Sequence, residues 1–285
     1  PDRDITVINL GLSSETVSGI TEPVHPFPRP NVFYRLETAL RISRPNWVVA
    51  CYGMNDGIYR PVNDEIKDKF RGGIQQLVDR CEAFGARVIL ATPPFFDAQA
   101  PRAQKGMRDL KDTEPYGFRR VYEAYNDETL VPLSGITKSF CSHPAVDRVV
   151  PMNQWMKQYV ANAKEVNPKY TYGDGVHPPQ DGQFAIAVGM LQAMGCDGQD
   201  VQNVVWKHLE MRLVQPSANQ PTGDADPGAA GMRKRVLGRA RSLNNAYREV
   251  VGTAHPRKFS KQPIDEAIFA AKKEELEIRQ AIAAK

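Results

Sequence analysis

Cysteine is scarce in this chain and never paired by spacing. Cys51, Cys81, Cys141 and Cys196 stand far apart, with no CxxC and no Cys/His cluster. That excludes a disulfide miniprotein and gives zinc no ligand set, so neither a metal nor a cofactor is expected. Long hydrophobic runs are missing as well. The longest, WVVACYGM and RVILAT, are strand-sized, far below the roughly 20 apolar residues of a membrane helix. No membrane span is expected. The opening PDRDITVINL lacks an initiator Met, a basic stretch and an apolar h-region, so it does not read as a signal peptide. Charge of one sign is slight, +4 over 285 residues, and its excess lies in the tail, with fifteen Lys and Arg against nine Asp and Glu from position 201 onward. No nucleic-acid motif or aromatic interleaving accompanies that excess. It reads as a solvated basic tail, and no nucleic-acid partner is expected.

What is present is globular: 41% hydrophobic and 25% charged residues exclude wholesale disorder and collagen. ITVINL at 5–10 reads as a buried strand, followed by the Gly/Ser-rich loop GLSSETVSG. A short helix fits 31–43, and WVVACYG at 47–53 reads as a second strand. In the segment from Asn63 to Gly85, Ile66, Phe70, Ile74, Leu77, Val78 and Cys81 recur at helical spacing, with Gly85 as C-cap. RVILAT at 87–92 is a third strand, stopped by Pro93-Pro94. Cys51 and Cys81 read as core packing. YGFRRVYEAYNDETL at 116–130 suits a helix, VVPM at 149–152 a last short strand, the residues to about 165 a helix, and FAIAVGMLQAMG an apolar helix. Apolar strands alternating with helices predict an α/β fold with a parallel sheet. A helix near 199–213, a flexible linker near 215–231 and helices at about 232–251 and 263–284 complete the chain. The domain reading is therefore 1–200 for the α/β part and 201–285 for a helical extension. In that extension His255-Pro256 lies between helices; the extension reads first as a helical appendage covering apolar surface, and alternatively as a border of the active-site mouth, with Tyr247 and Phe259 as candidate exposed aromatics for a sugar.

Three loops carry chemistry, each at a strand end or before a helix, where parallel α/β sheets build their sites. His177, in GDGVHPPQDG, is the candidate base, since imidazole exchanges a proton with a hydroxyl near neutral pH. Asp174, three residues earlier, can orient it and stabilise the imidazolium. Asn55, in GMND, offers an amide N–H₂, and Gly11 a backbone N–H that a ligand can approach closely. The two donors together can hold an oxyanion, each worth about 3–4 kcal/mol of barrier.

In that order, Gly11 within NLGLSSET, GMND at 53–56 and DGVH at 174–177 resemble the second, third and fifth blocks of the SGNH/GDSL hydrolase superfamily. The likeness covers roughly residues 1–195 and is greatest to bacterial carbohydrate-esterase-like members. It implies a flavodoxin-like three-layer sandwich with a parallel sheet, serine esterase or acylhydrolase chemistry, a catalytic triad with an oxyanion hole, and no metal. By this resemblance Gly11 and Asn55 serve the oxyanion hole, His177 is the base and Asp174 its orienter.

One block has no counterpart. The family's GDS motif carries the nucleophilic Ser on the strand before the second block, and no GDS or GxSxG occurs in this chain. Ser13 and Ser14 sit in the second-block loop and read as turn residues. The expectation is that the first strand and its serine lie upstream, where any signal for export to the periplasm or beyond would also lie. This chain alone is then expected to be nearly inactive. The expected substrate is a small-molecule or carbohydrate ester carrying a small acyl group, acetyl foremost. The alternatives are a degenerate binding member without turnover and a lysophospholipase or thioesterase on the same fold.

Overall fold

The computed structural model describes residues 5–101, 106–111, 113–195, 227–252 and 262–283. In chain order its elements are α1 (Leu36–Ser43), β1 (Trp47–Cys51), α2 (Asp64–Ala83), β2 (Arg87–Ala91), β3 (Arg108–Asp109), β4 (Arg120–Val121), α3 (Val131–Ser139), β5 (Val146–Val150), α4 (Met152–Val166), α5 (Gln180–Ala193), α6 (Pro227–Val251) and α7 (Ile264–Ala283). The expectations placed on 199–213, on the linker up to 226, on His255-Pro256 and on Phe259 lie outside the described residues. The protein is α/β, with a small parallel sheet and helices around it. Among the described residues no helix is long and apolar enough to cross a membrane.

The chain forms two compact units. The larger comprises Ser14–Tyr34 and Arg44–Ser217; the smaller gathers Pro1–Ser13, Arg35–Ser43 and Ala218–Lys285. The larger unit holds the sheet, ordered β1-β2-β5 and parallel throughout, with Trp47 opposite Arg87 and Ala91 opposite Val150. β2 is central, and Val88, Ile89, Leu90 and Ala91 are all buried, as a strand covered on both faces requires. Ile89 and Ala91 pack with Met156, Tyr159, Val160 and Val188 of α4 and α5. Val88 and Leu90 point the opposite way by the two-residue period of a strand, on the side of α2, which packs on β2. α2 begins at Asn63, whose side chain accepts the Ile66 N–H at 3.0 Å, and it buries the stripe read from the sequence, Ile66 to Cys81.

Four expectations are corrected. Residues 5–10 form no strand: Ile5 and Val7 are 71% and 75% exposed. Ile8 and Leu10 instead find apolar cover with Leu243, Tyr247 and Ala271 of the smaller unit, and the Asn9 N–H donates to Asn244 Oδ1 at 2.9 Å, so side chains replace a ladder. Cys51 is exposed rather than core, because among the described residues β1 pairs only with β2, and the alternate residues Trp47, Val49 and Cys51 fall on its exposed side. The helix expected over 116–130 does not form there. Arg120 N–H closes a turn on Gly117, β3 pairs with β4, and helical structure starts only at Asn126, in one π-turn that runs into α3. The cause is tertiary: Tyr116 packs on Tyr122, while Phe118 and Tyr125 both pack on Tyr59, which a single helix face does not permit. Tyr247, read as a surface aromatic, is buried in the apolar cluster of α6 and α7.

Candidate active site

The Asp174–His177 loop is built almost entirely from itself. Asp174 Oδ1 accepts the backbone N–H groups of Val176 (3.0 Å) and His177 (2.7 Å), and Oδ2 lies 2.8 Å from His177 Nδ1. Two glycines make this tight form possible. Gly173 has φ +54°, and a Cβ there would stand 2.0 Å from the His177 carbonyl oxygen; Gly175 has φ +89° and faces the Asp97 carbonyl. Asp97 N–H donates to the Gly175 oxygen and seats the loop beyond β2. Desolvation works to raise the Asp174 pKa, but the bonds from His177 and Val176 outweigh it and hold the carboxyl below its usual range. A carboxylate on Nδ1 fixes the proton there, which leaves Nε2 as the basic nitrogen. The imidazole side chain is 73% exposed, so it is open to a substrate.

Asn55 is positioned from afar. Its turn follows β1: Gly57 N–H bonds Gly53 O, and Ile58 N–H bonds Asn55 O. Ile58 and Tyr59 both have positive φ, +46° and +57°, a strained pair for residues with side chains, and the β-branched Ile58 especially so. The fully buried Asp56 carboxylate holds the turn by accepting N–H bonds from Gly53 (2.8 Å), Val17 (2.9 Å) and Ser18 (2.8 Å). The Asn55 amide is tied at both ends, Nδ2 donating to Glu15 O at 3.2 Å and Oδ1 accepting from Tyr59 OH at 3.3 Å. Nδ2 carries two hydrogens, so one remains for a ligand oxyanion.

Aromatic rings join the two loops. Phe118 meets the His177 ring edge-on at 5.7 Å and the Tyr59 ring at 5.7 Å, and Tyr59 stacks on Tyr125 at 5.0 Å. Met54 and Val176, the neighbours of Asn55 and His177, pack in this same cluster. Burial raises the Tyr59 pKa, the Arg29 cation opposes, and the Glu22 and Asp174 carboxylates raise it further, so the phenol keeps the proton it gives to Asn55. Behind Tyr59 lies a buried ion pair. Arg29 Nε and Nη2 each meet a Glu22 oxygen at 2.6 Å, and the guanidinium carbon stands 5.8 Å from the Tyr59 ring centre.

The structure thus gathers Asn55, Asp174 and His177 in the larger unit. Gly11 belongs to the smaller one, where its N–H donates to Asn9 Oδ1 (2.9 Å) and its oxygen accepts from Arg248 (3.1 Å). Ser13 also falls in the smaller unit. Ser14, in the larger, has φ +65° and its oxygen accepts from Arg29, a turn role. Sequence reading missed Glu22, Arg29, Tyr59 and Phe118. Only Tyr59 left a signal, being four residues from Asn55 in the NDGIY turn.

Among the described residues one group could offer a metal three ligands: Asp79, Glu82 and His143. Its hydrogen bonding argues otherwise. Ala145 N–H donates to His143 Nδ1 at 3.2 Å, so the neutral ring carries its proton on Nε2, facing Asp79 at 3.5 Å. That is the wrong tautomer for ligation through Nε2. No family model, curated protein or solved structure matches the chain.

Proposed function

We propose that this protein is a serine-type esterase of the SGNH/GDSL kind, on a flavodoxin-like sheet, that removes small acyl groups, acetyl foremost, from a carbohydrate. The observation that carries the reading is the Asp174–His177 contact of 2.8 Å, packed through Phe118 and Tyr59 against the tethered Asn55 amide. His177 Nε2 takes the proton of an attacking serine hydroxyl while Asp174 holds the imidazolium. The carbonyl oxygen becomes an oxyanion, and the remaining Asn55 N–H stabilises it. Collapse of the tetrahedral adduct forms the acyl-serine and expels the sugar oxygen, which His177 protonates. Water, deprotonated by the same imidazole, then releases the acid.

The reading needs a serine that this sequence does not carry in a GDS or GxSxG setting. That favours one second reading, a binding protein that keeps the site without turnover. Hydrolysis of acetylated saccharides separates the two. The esterase reading expects His177→Ala to lower kcat/KM about a thousandfold or more; unchanged turnover overturns it. In the 285-residue chain, a fluorophosphonate probe is expected to label no serine. Labelling that His177→Ala abolishes would assign the nucleophile to Ser13 or Ser14.

A further inference from the structure

Next along the chain from the Asn55 turn is a cation, Arg60, that bonds to no acid among the described residues. Arg60 is half-buried, and its Nε is shut off from solvent without an acceptor. The acid that feels its charge, Glu65, is itself bonded to Lys69 at 2.8 Å. The guanidinium rests on the Tyr116 ring instead, 5.7 Å from its centre. A shielded guanidinium nitrogen with no acceptor is costly, and its planar fork matches an oxyanion better than any other side chain does.

Its place gives this meaning. Tyr59 meets Phe118, and the next residue, Arg60, meets Tyr116, two positions from Phe118. Residues 59 and 60 thus meet two rings of one segment, and Phe118 is the ring that touches His177. Arg119, on the same segment, is exposed, while Arg120 donates to Pro115 O at 2.6 Å. Arg60 is the cation of this group that is anchored on a ring.

We propose that Arg60, seated on Tyr116 two residues along the chain from the Phe118 that meets His177, binds a carboxylate on the alcohol portion of the ester, so that the substrate is an acidic saccharide ester and not a neutral one. The inference rests on the esterase reading for the word ester, but the anion site stands on its own geometry. Such an anchor fixes the sugar relative to His177 by charge and leaves the acyl group free to meet Asn55.

The test is calorimetric binding of two probes to the 285-residue chain: acetylated trigalacturonate and acetylated xylotriose. The acidic probe is expected to bind at least about tenfold tighter, with an advantage that shrinks several-fold between about 20 and about 300 mM salt. Arg60→Gln is expected to abolish the preference. Arg60→Lys should keep part of it, since the charge stays and the fork is lost, and Tyr116→Phe should keep most, since the ring face remains. Equal binding of the two probes, no binding of either, or a preference that survives Arg60→Gln overturns the proposal. The salt dependence needs no variant, so it decides the matter even where a substitution impairs folding. Binding is read without turnover. An acidic preference in a protein that hydrolyses nothing defeats the esterase and leaves the anion site. Hydrolysis with equal kcat/KM for both esters defeats the anion site and leaves the esterase.

Discussion

The two loops that carry the candidate site are held by opposite means. The Asp174–His177 loop is closed by one carboxylate that bonds its own next residues, with glycines supplying the conformations it needs. The Asn55 turn is held from positions 17, 18 and 22–29, through Asp56, Tyr59 and a buried ion pair. A base must keep one tautomer and one direction, which a short loop can enforce alone. A donor must stand at a set distance from that base, which only tertiary packing can enforce.

Damage at a distance should therefore hurt the turn more than the loop. The largest effect is expected from Glu22→Gln, which leaves the Arg29 charge buried without its partner and costs about 3–5 kcal/mol, read by urea unfolding. Asp56→Ala comes next. It strands the N–H groups of Val17, Ser18 and Gly53 and should cost about 3 kcal/mol by the same measurement. Stability losses in the reverse order, or below about 1 kcal/mol for both, would break the contrast. Gly173→Ala is smaller, about 2 kcal/mol, because a Cβ meets the His177 carbonyl and φ is left-handed. Its signature is local: the His177 ring signals in an NMR spectrum should move while those of Tyr59 stay.

The smallest effect sharpens the comparison by pH. The folded pKa of Asp174 lies below its unfolded value. Its stabilisation is therefore present above the ordinary carboxylate range and is lost as pH falls through the depressed value. Asp174→Asn should remove that segment of the acid dependence and lower stability by about 1 kcal/mol at neutral pH. An unchanged acid profile would show that the loop does not depend on this carboxylate.

What could be read from the sequence follows the same division. The DGVH loop was legible because the bonds of the Asp174 carboxylate span three residues or fewer, and α2 and β2 were legible from the periodicity of Ile66–Cys81 and the run at 87–91. The partners of Tyr59 were not, since Arg29 lies thirty positions upstream and Phe118 well downstream with no pattern linking them. Residues 5–10 misled for a related reason. An apolar run records that cover is needed, not whether a sheet or a helix supplies it, and here Leu243 and Tyr247 do so for Ile8 and Leu10. The aromatic segment 116–125 misled because its spacing suits a helix while its rings have four separate contacts to make.

The central claim is that His177 presents a basic Nε2 because Asp174 holds the proton on Nδ1. A long-range ¹H–¹⁵N NMR spectrum of the imidazole at pH 8 reads this directly. The account predicts a protonated Nδ1 and an unprotonated Nε2 in the 285-residue chain, with that tautomer lost in Asp174→Asn. A ring protonated on Nε2, or one whose tautomer is indifferent to Asp174→Asn, would contradict it.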